Sequence, residues 1–222
     1  MKVWAYVDGF NLYNGIVRGT RFKWLNLLEF CRRLLPDDTI DRIKYFTAKV
    51  DARADDPGQP YRQMAYWRAL ETLGCVEIVK GHFLSLPKKM PTLESMERIA
   101  ALARTGKNVS GMRPTFVDVL RSEEKGTDVN LAVHLVHDAH LGRFEAALII
   151  SNDSDLKESI RIVRRELGKV VGVFTPHRDK PSVQLKNTAS FFREIPVKAL
   201  RESLFPDELV DGRGAFRKPA GW

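Results

Sequence analysis

Four aspartates, widely separated in the chain, are the residues best suited to chemistry. Asp8 follows an apolar run at 3–7. Asp128 opens a helix after Glu124, Lys125, Gly126 and Thr127. Asp153 and Asp155 follow the apolar run 146–150 in the phrase Ser151-Asn152-Asp153-Ser154-Asp155. In a parallel α/β sheet the carboxyl ends of the strands form the edge at which ligands bind. Carboxylates delivered there from distant segments repel one another, and a divalent cation relieves that repulsion. The chemistry this points to is metal-assisted cleavage of a phosphodiester, with Asp8, Asp128, Asp153 and Asp155 as metal ligands.

Other polar groups accompany the acids. Asn11, one turn beyond Asp8, can orient a metal-bound water. Lys125 can neutralise a scissile phosphate. Ser151 and Asn152 offer small polar contacts just before a helix N-terminus, which itself favours phosphate. Each has a plain structural alternative. An Asp before Gly forms turns, Asn11 caps a short helix, Thr127 or Asp128 caps the next, and Asp155 with Glu158 makes a capping pair. One cap needs one acid, however, and the 151–155 segment holds two. His134 shares a helical stripe with Asn130 and Asp138, either for metal or substrate contact or as a surface pair. A haloacid-dehalogenase-type phosphatase would need a second acid two residues after Asp8, where Phe10 stands.

Strands and helices alternate along the chain, which predicts a mostly parallel sheet with helices on both faces. Strands are expected at 2–7, 40–50, 76–80, 146–150, 169–174 and 190–195. Helices are expected at 61–73, 128–139 and after Asp155. The Pro- and Gly-rich stretch 51–60 reads as a loop. Residues 84–114 break the rhythm as a basic insertion, with a short helix capped by Thr92. Its Lys88, Lys89 and Arg113 are candidates to grip a phosphate backbone, and a solvated excursion is the other reading. The segment 115–121 resembles a strand pairing with 83–86. Phe10, Tyr13, Phe22 and Trp24 suit core packing better than base stacking. From Gly212 onward there is no periodicity, and a mobile tail is expected.

Composition sets the frame. Lys and Arg number 36 against 28 Asp and Glu, for a net charge of +8 and a pI near 9.6. Such a balance draws polyanions. Two cysteines, Cys31 and Cys75, are too few for a disulfide framework and lack metal-ligand spacing. No run of about 18 apolar residues spans a membrane, and the first residues read as a strand rather than a secretory leader. A cytoplasmic protein is expected.

Three motifs occur in order: Val7-Asp8-Gly9-Phe10-Asn11-Leu12, Lys125-Gly126-Thr127-Asp128-Val129-Asn130-Leu131-Ala132, and Ile150-Ser151-Asn152-Asp153-Ser154-Asp155-Leu156. Together they resemble the NYN domain family, nearest its LabA-like (DUF88) branch within the PIN-like nuclease group. The resemblance covers roughly residues 2–195. It implies a PIN-like three-layer sandwich and a ribonuclease using Mg2+ or Mn2+, with single-stranded or structured RNA as partner. Asp8, Asp128, Asp153 and Asp155 match the family's acidic cluster, Asn11 its asparagine, and Lys125-Gly126 its Lys-Gly step. The chain has Asn152 where the family commonly has Gly, and His134 where it often has Asp. The expected organisation is an NYN domain at 1–196, with the insertion at 84–114, and an extension at 197–222. A homodimer is allowed for. The alternatives are a non-catalytic RNA-binding or regulatory module, and a metal-dependent enzyme acting on a small anionic substrate.

Overall fold

The computed structural model describes residues 1–52 and 55–222. Arg53 and Ala54, inside the loop expected at 51–60, lie outside the described residues. In chain order the elements are β1 (Lys2–Asp8), α1 (Gly9–Leu12) running into a π-helical turn (Tyr13–Val17), α2 (Leu27–Leu34), β2 (Thr39–Ala48), α3 (Gln59–Glu71), β3 (Val76–Pro91), α4 (Leu93–Arg104) and β4 (Phe116–Lys125). Then follow α5 (Thr127–His140), β5 (Ala146–Ile150), a 3₁₀ turn (Ser154–Leu156), α6 (Lys157–Arg165), β6 (Val170–Thr175), α7 (Val183–Thr188) and β7 (Phe191–Glu194). The chain closes with α8 (Val197–Arg201) and the hairpin β8 (Glu208–Asp211) and β9 (Gly214–Arg217).

The fold is α/β, with a seven-stranded sheet in the order β4-β3-β2-β1-β5-β6-β7. From β3 to β7 every pairing is parallel. The chain divides into two compact units, residues 1–82 with 125–222, and residues 83–124. The second unit holds the far half of β3, α4 and most of β4. It begins near the expected insertion and extends past residue 114 to Glu124.

In the first unit both sheet faces are covered, as the period-2 pattern of β1 requires. Val3, Ala5 and Val7 join a core with Trp24, Leu27, Phe30 and Leu70. Trp4 and Tyr6 join a second core with Leu131, Leu135, Ile149 and Ile160. Fully burying one such aliphatic side chain contributes ~1.5–3 kcal/mol, so this double burial fixes the register that carries Asp8.

The C-terminal segment, expected to be mobile from Gly212, is built into the first unit. Arg68 forms a bidentate pair with Asp211 at 2.7 Å and lies 4.1 Å over the Phe216 ring. Trp222 packs edge-on against Trp24, with ring centroids 6.3 Å apart.

Candidate active site

Strand order reverses between β1 and β5, since β2 and β3 lie to one side and β6 and β7 to the other. Such a switch point leaves a crevice beyond the carboxyl ends of the two central strands. Asp8 ends β1 there and is almost wholly buried, at 3% exposure. Its Oδ1 accepts the Asn11 backbone N–H at 2.9 Å, and its Oδ2 accepts the Ser151 hydroxyl at 3.0 Å. Ser151 is fully buried just beyond β5, and its Oγ also accepts the Asp153 backbone N–H at 3.1 Å. One serine hydroxyl thus ties Asp8 to the start of the Asp153 segment. Asp153 caps the following 3₁₀ turn, its Oδ1 accepting the Asp155 backbone N–H at 3.0 Å.

Asn11 and Asn152 knit the same edge. Asn11 Oδ1 accepts the Asn152 backbone N–H at 3.0 Å. The Asn152 side chain is itself held by three hydrogen bonds. Its Oδ1 accepts the Thr175 hydroxyl and the Ser182 N–H, and its Nδ2 donates to the Lys180 carbonyl. Ser151 and Asn152, expected as substrate contacts, therefore brace the crevice with their side chains. Gly9 is required for close approach, because a Cβ there would lie 2.6 Å from the Tyr45 ring.

Asp128 is half-buried in the first turn of α5, which packs against β1, β2 and the 3₁₀ turn. Gly126 supplies the left-handed residue, φ 90°, that turns the chain from Lys125 into α5. Lys125 is exposed. Asp155 is exposed and lines the open groove between α5 and α6, with Ala132, Val136 and Ile162. Lys88, Lys89 and Arg113 are exposed in the second unit.

Among the described residues, no group of three or more His, Cys, Asp and Glu side chains is placed to hold one metal ion. The crevice offers the carboxylates of Asp8 and Asp153, with oxygen donors only. Such a set fits magnesium or manganese, which are held by one or two carboxylates together with substrate phosphate and water.

Below Asp8 on the α5 face lies a buried polar network that the sequence did not announce. The Lys44 ammonium meets Asp138 Oδ2 at 2.5 Å and His134 Nδ1 at 2.9 Å. Tyr6 donates its hydroxyl to Asp138 Oδ2 at 2.9 Å, and Arg143 donates to Oδ1 at 3.0 Å. His134 and Asp138 are therefore not a surface pair. With an ammonium beside it, Nδ1 must act as acceptor, so the ring is neutral with its proton on Nε2. Burial and the Lys44 charge hold the His134 pKa below its ordinary value. A lysine between apolar neighbours on a strand covered on both faces was the available signal, since such a charge must be paired.

On the other face, a cavity of about 150 Å³ is lined by Gly9, Phe10, Tyr45, Tyr66, Gln63 and Trp222, among others. Lys23 and Arg62 border it. Burial, then the Asp8 charge, pushes the Tyr45 hydroxyl pKa up, which places this cavity within electrostatic reach of the acidic edge. Phe10 and Tyr13 line the cavity, whereas Phe22 and Trp24 are buried core residues as expected.

The family profile of the NYN domain matches residues 2–196. This chain belongs to the NYN domain family. Its nuclease-like fold follows from that membership, and the family is generally one of hydrolytic nucleases that typically use divalent metals. The chain is also 29% identical to 6-hydroxy-3-succinoylpyridine 3-monooxygenase from Pseudomonas putida, over 100% of this chain and 75% of that protein. A protein of unknown function from Vibrio parahaemolyticus shares the fold of this NYN chain, with a TM-score of 0.53 and 16% identity. That likeness covers 88% of this chain and 93% of the Vibrio protein. No helix among the described residues is long and apolar enough to cross a membrane.

Proposed function

We propose that the chain is a ribonuclease that hydrolyses RNA phosphodiesters with Mg2+ or Mn2+ bound at the β1–β5 crevice. The single observation that supports this most is the Ser151 hydroxyl joining Asp8 to the Asp153 backbone at the switch point. Asp8 and Asp153 would hold the cation, with Asp128 at the mouth of the same edge and Asp155 acting from the adjoining groove. When bound, the cation supplies polarisation of the phosphoryl oxygens and a more acidic water.

The chain's own residues do the rest. Ser151 and Asn11 fix the Asp8 carboxylate, so little reorganisation accompanies substrate binding. Asn152 locks the 151–155 segment to the 175–182 loop. Lys125 offsets negative charge building on the phosphorane. Lys88, Lys89 and Arg113 add attraction for the RNA backbone, in keeping with the +8 net charge. The test is cleavage of labelled RNA with added metal, by the wild type and by Asp8→Asn. Metal-independent cleavage, or full activity in Asp8→Asn, would refute the assignment.

A second reading has its own support. The Pseudomonas relative acts by its name on a succinoylpyridine, and the cavity beside Asp8 is walled by aromatic rings and bordered by Lys23, with Arg62 paired to Asp56 at the same rim. On this reading the chain oxidises a small anionic aromatic. Monooxygenation needs dioxygen and a two-electron reductant, so the discriminating assay supplies 6-hydroxy-3-succinoylpyridine, air and a reduced nicotinamide. Hydroxylated product without RNA cleavage would favour this reading.

A further inference from the structure

The second unit, residues 83–124, exposes more apolar surface than a solvated excursion needs. Among the described residues, nine of the seventeen exposed large hydrophobics fall within it: Leu84, Leu86, Met90, Leu93, Met96, Met112, Phe116, Val117 and Leu120. Its helix α4 has no buried residue. Concentrated exposed apolar surface marks an interaction site.

The α4 sequence says what covers it. Ser95, Ile99 and Leu102 are the half-buried positions of the helix. At about 100° per residue they form one stripe, and Leu93, Glu97, Ala100, Ala101 and Arg104 fall on the opposite side. Leu93 is 73% exposed there. Along α4, Glu94 and Glu97 stand in the first half with Arg98, which lies off this outer side, and Arg104 closes the helix. None of these four has an ion-pair partner among the described residues.

We propose that a second copy of the chain covers this face, with the two α4 helices packed antiparallel about a twofold axis. Centred between Ala100 and Ala101, that arrangement sets Glu97 opposite Arg104 in both symmetry-related pairs. A twofold contact must be self-complementary, and this charge order is. A parallel pairing would set like charges together. The two alanines at the centre let the helices approach closely, and Leu93 and Met96 add apolar contact on either side. RNA is the less suited occupant of the α4 face itself, where Glu94 and Glu97 balance Arg98 and Arg104.

Light scattering after size exclusion and sedimentation equilibrium on the full chain provide the test. The wild type should be a dimer, and Glu97→Arg or Arg104→Glu should each raise the dimer dissociation constant by about tenfold or more, since each change places like charges together twice. The double reversal Glu97→Arg with Arg104→Glu should restore dimerisation. Ala100→Cys should form an intermolecular disulfide on mild oxidation. All of these positions are exposed, so circular dichroism should report an unchanged fold. A monomeric wild type overturns the proposal. So does a dimer indifferent to both single reversals, and so does loss of RNA binding in the single reversals without any change in mass.

Discussion

Asp8 and Ser151 meet at 3.0 Å across the central crevice, although 143 residues separate them in the chain. The contact joins the ends of two neighbouring parallel strands and leaves Asp8 with a fixed orientation. Ser151→Ala should remove one partner from Asp8 Oδ2 and one from the Asp153 N–H. A buried group left unpaired costs about 1–3 kcal/mol, so urea unfolding should show a loss of that size. RNA cleavage should fall by about 10–100-fold, the usual effect of losing a group that orients a ligand, while RNA affinity changes little. Equal activity in wild type and variant would show that Ser151 does not orient the site.

Asp138 is fully buried and depends on Lys44, Tyr6 and Arg143. Breaking a buried ion pair from one side leaves an uncompensated charge and costs ~3–5 kcal/mol. Lys44→Met should therefore destabilise the fold by that amount in denaturant titrations. The double replacement Lys44→Met with Asp138→Leu should recover much of it. If the single change were neutral, the network would contribute nothing to folding.

His134 gives a pH signature. Its folded pKa lies below the ordinary 6.5, through burial first and the Lys44 charge second, against opposing pulls from Asp138 and Glu77. As pH falls below about 6.5 the unfolded chain takes up a proton that the folded chain refuses. Stability is thus complete above that value and declines through the window below it, by at most about 1.4 kcal/mol per pH unit for one group. His134→Gln should flatten this part of the profile between pH 7 and 5. Parallel profiles for the two proteins would exclude His134 as its source.

Much of the first unit could be read from sequence because its signals are local and periodic. The apolar runs at 3–7 and 146–150, each followed by a polar cluster, located β1, β5 and the crevice between them. Thr92 was a legible cap, and its hydroxyl accepts the Ser95 N–H. The network around Lys44 was not legible, because its partners come from β1, β2 and α5 and share no sequence spacing. The tail escaped because β8 and β9 are four residues each, too short to show alternation. The hydrogen bonds of Asn152 to the 175–182 loop were not legible either, because its partners lie 23–30 residues away. The insertion expected at 84–114 lies within a unit that runs on to Glu124, because β4 continues from Phe116 to Lys125.

Metal should stabilise the protein as well as activate it. Binding to the folded state alone adds about 2.7 kcal/mol at a hundred times the dissociation constant. Manganese should therefore raise the melting temperature of the wild type. Asp153→Asn should shrink that rise while increasing the metal-free melting temperature, because one like charge leaves the crevice. An unchanged melting temperature of the wild type at millimolar manganese would count against the crevice as a metal site.

The most direct measurement is cleavage of end-labelled RNA under single-turnover conditions, with binding followed in parallel, for wild type, Asp8→Asn and Asp153→Asn. Magnesium or manganese should support cleavage by the wild type and a chelator should abolish it. Each asparagine variant should bind RNA at least as well yet cut it about a hundredfold more slowly or worse. RNA cut at the wild-type rate by both variants would contradict a catalytic crevice at Asp8 and Asp153.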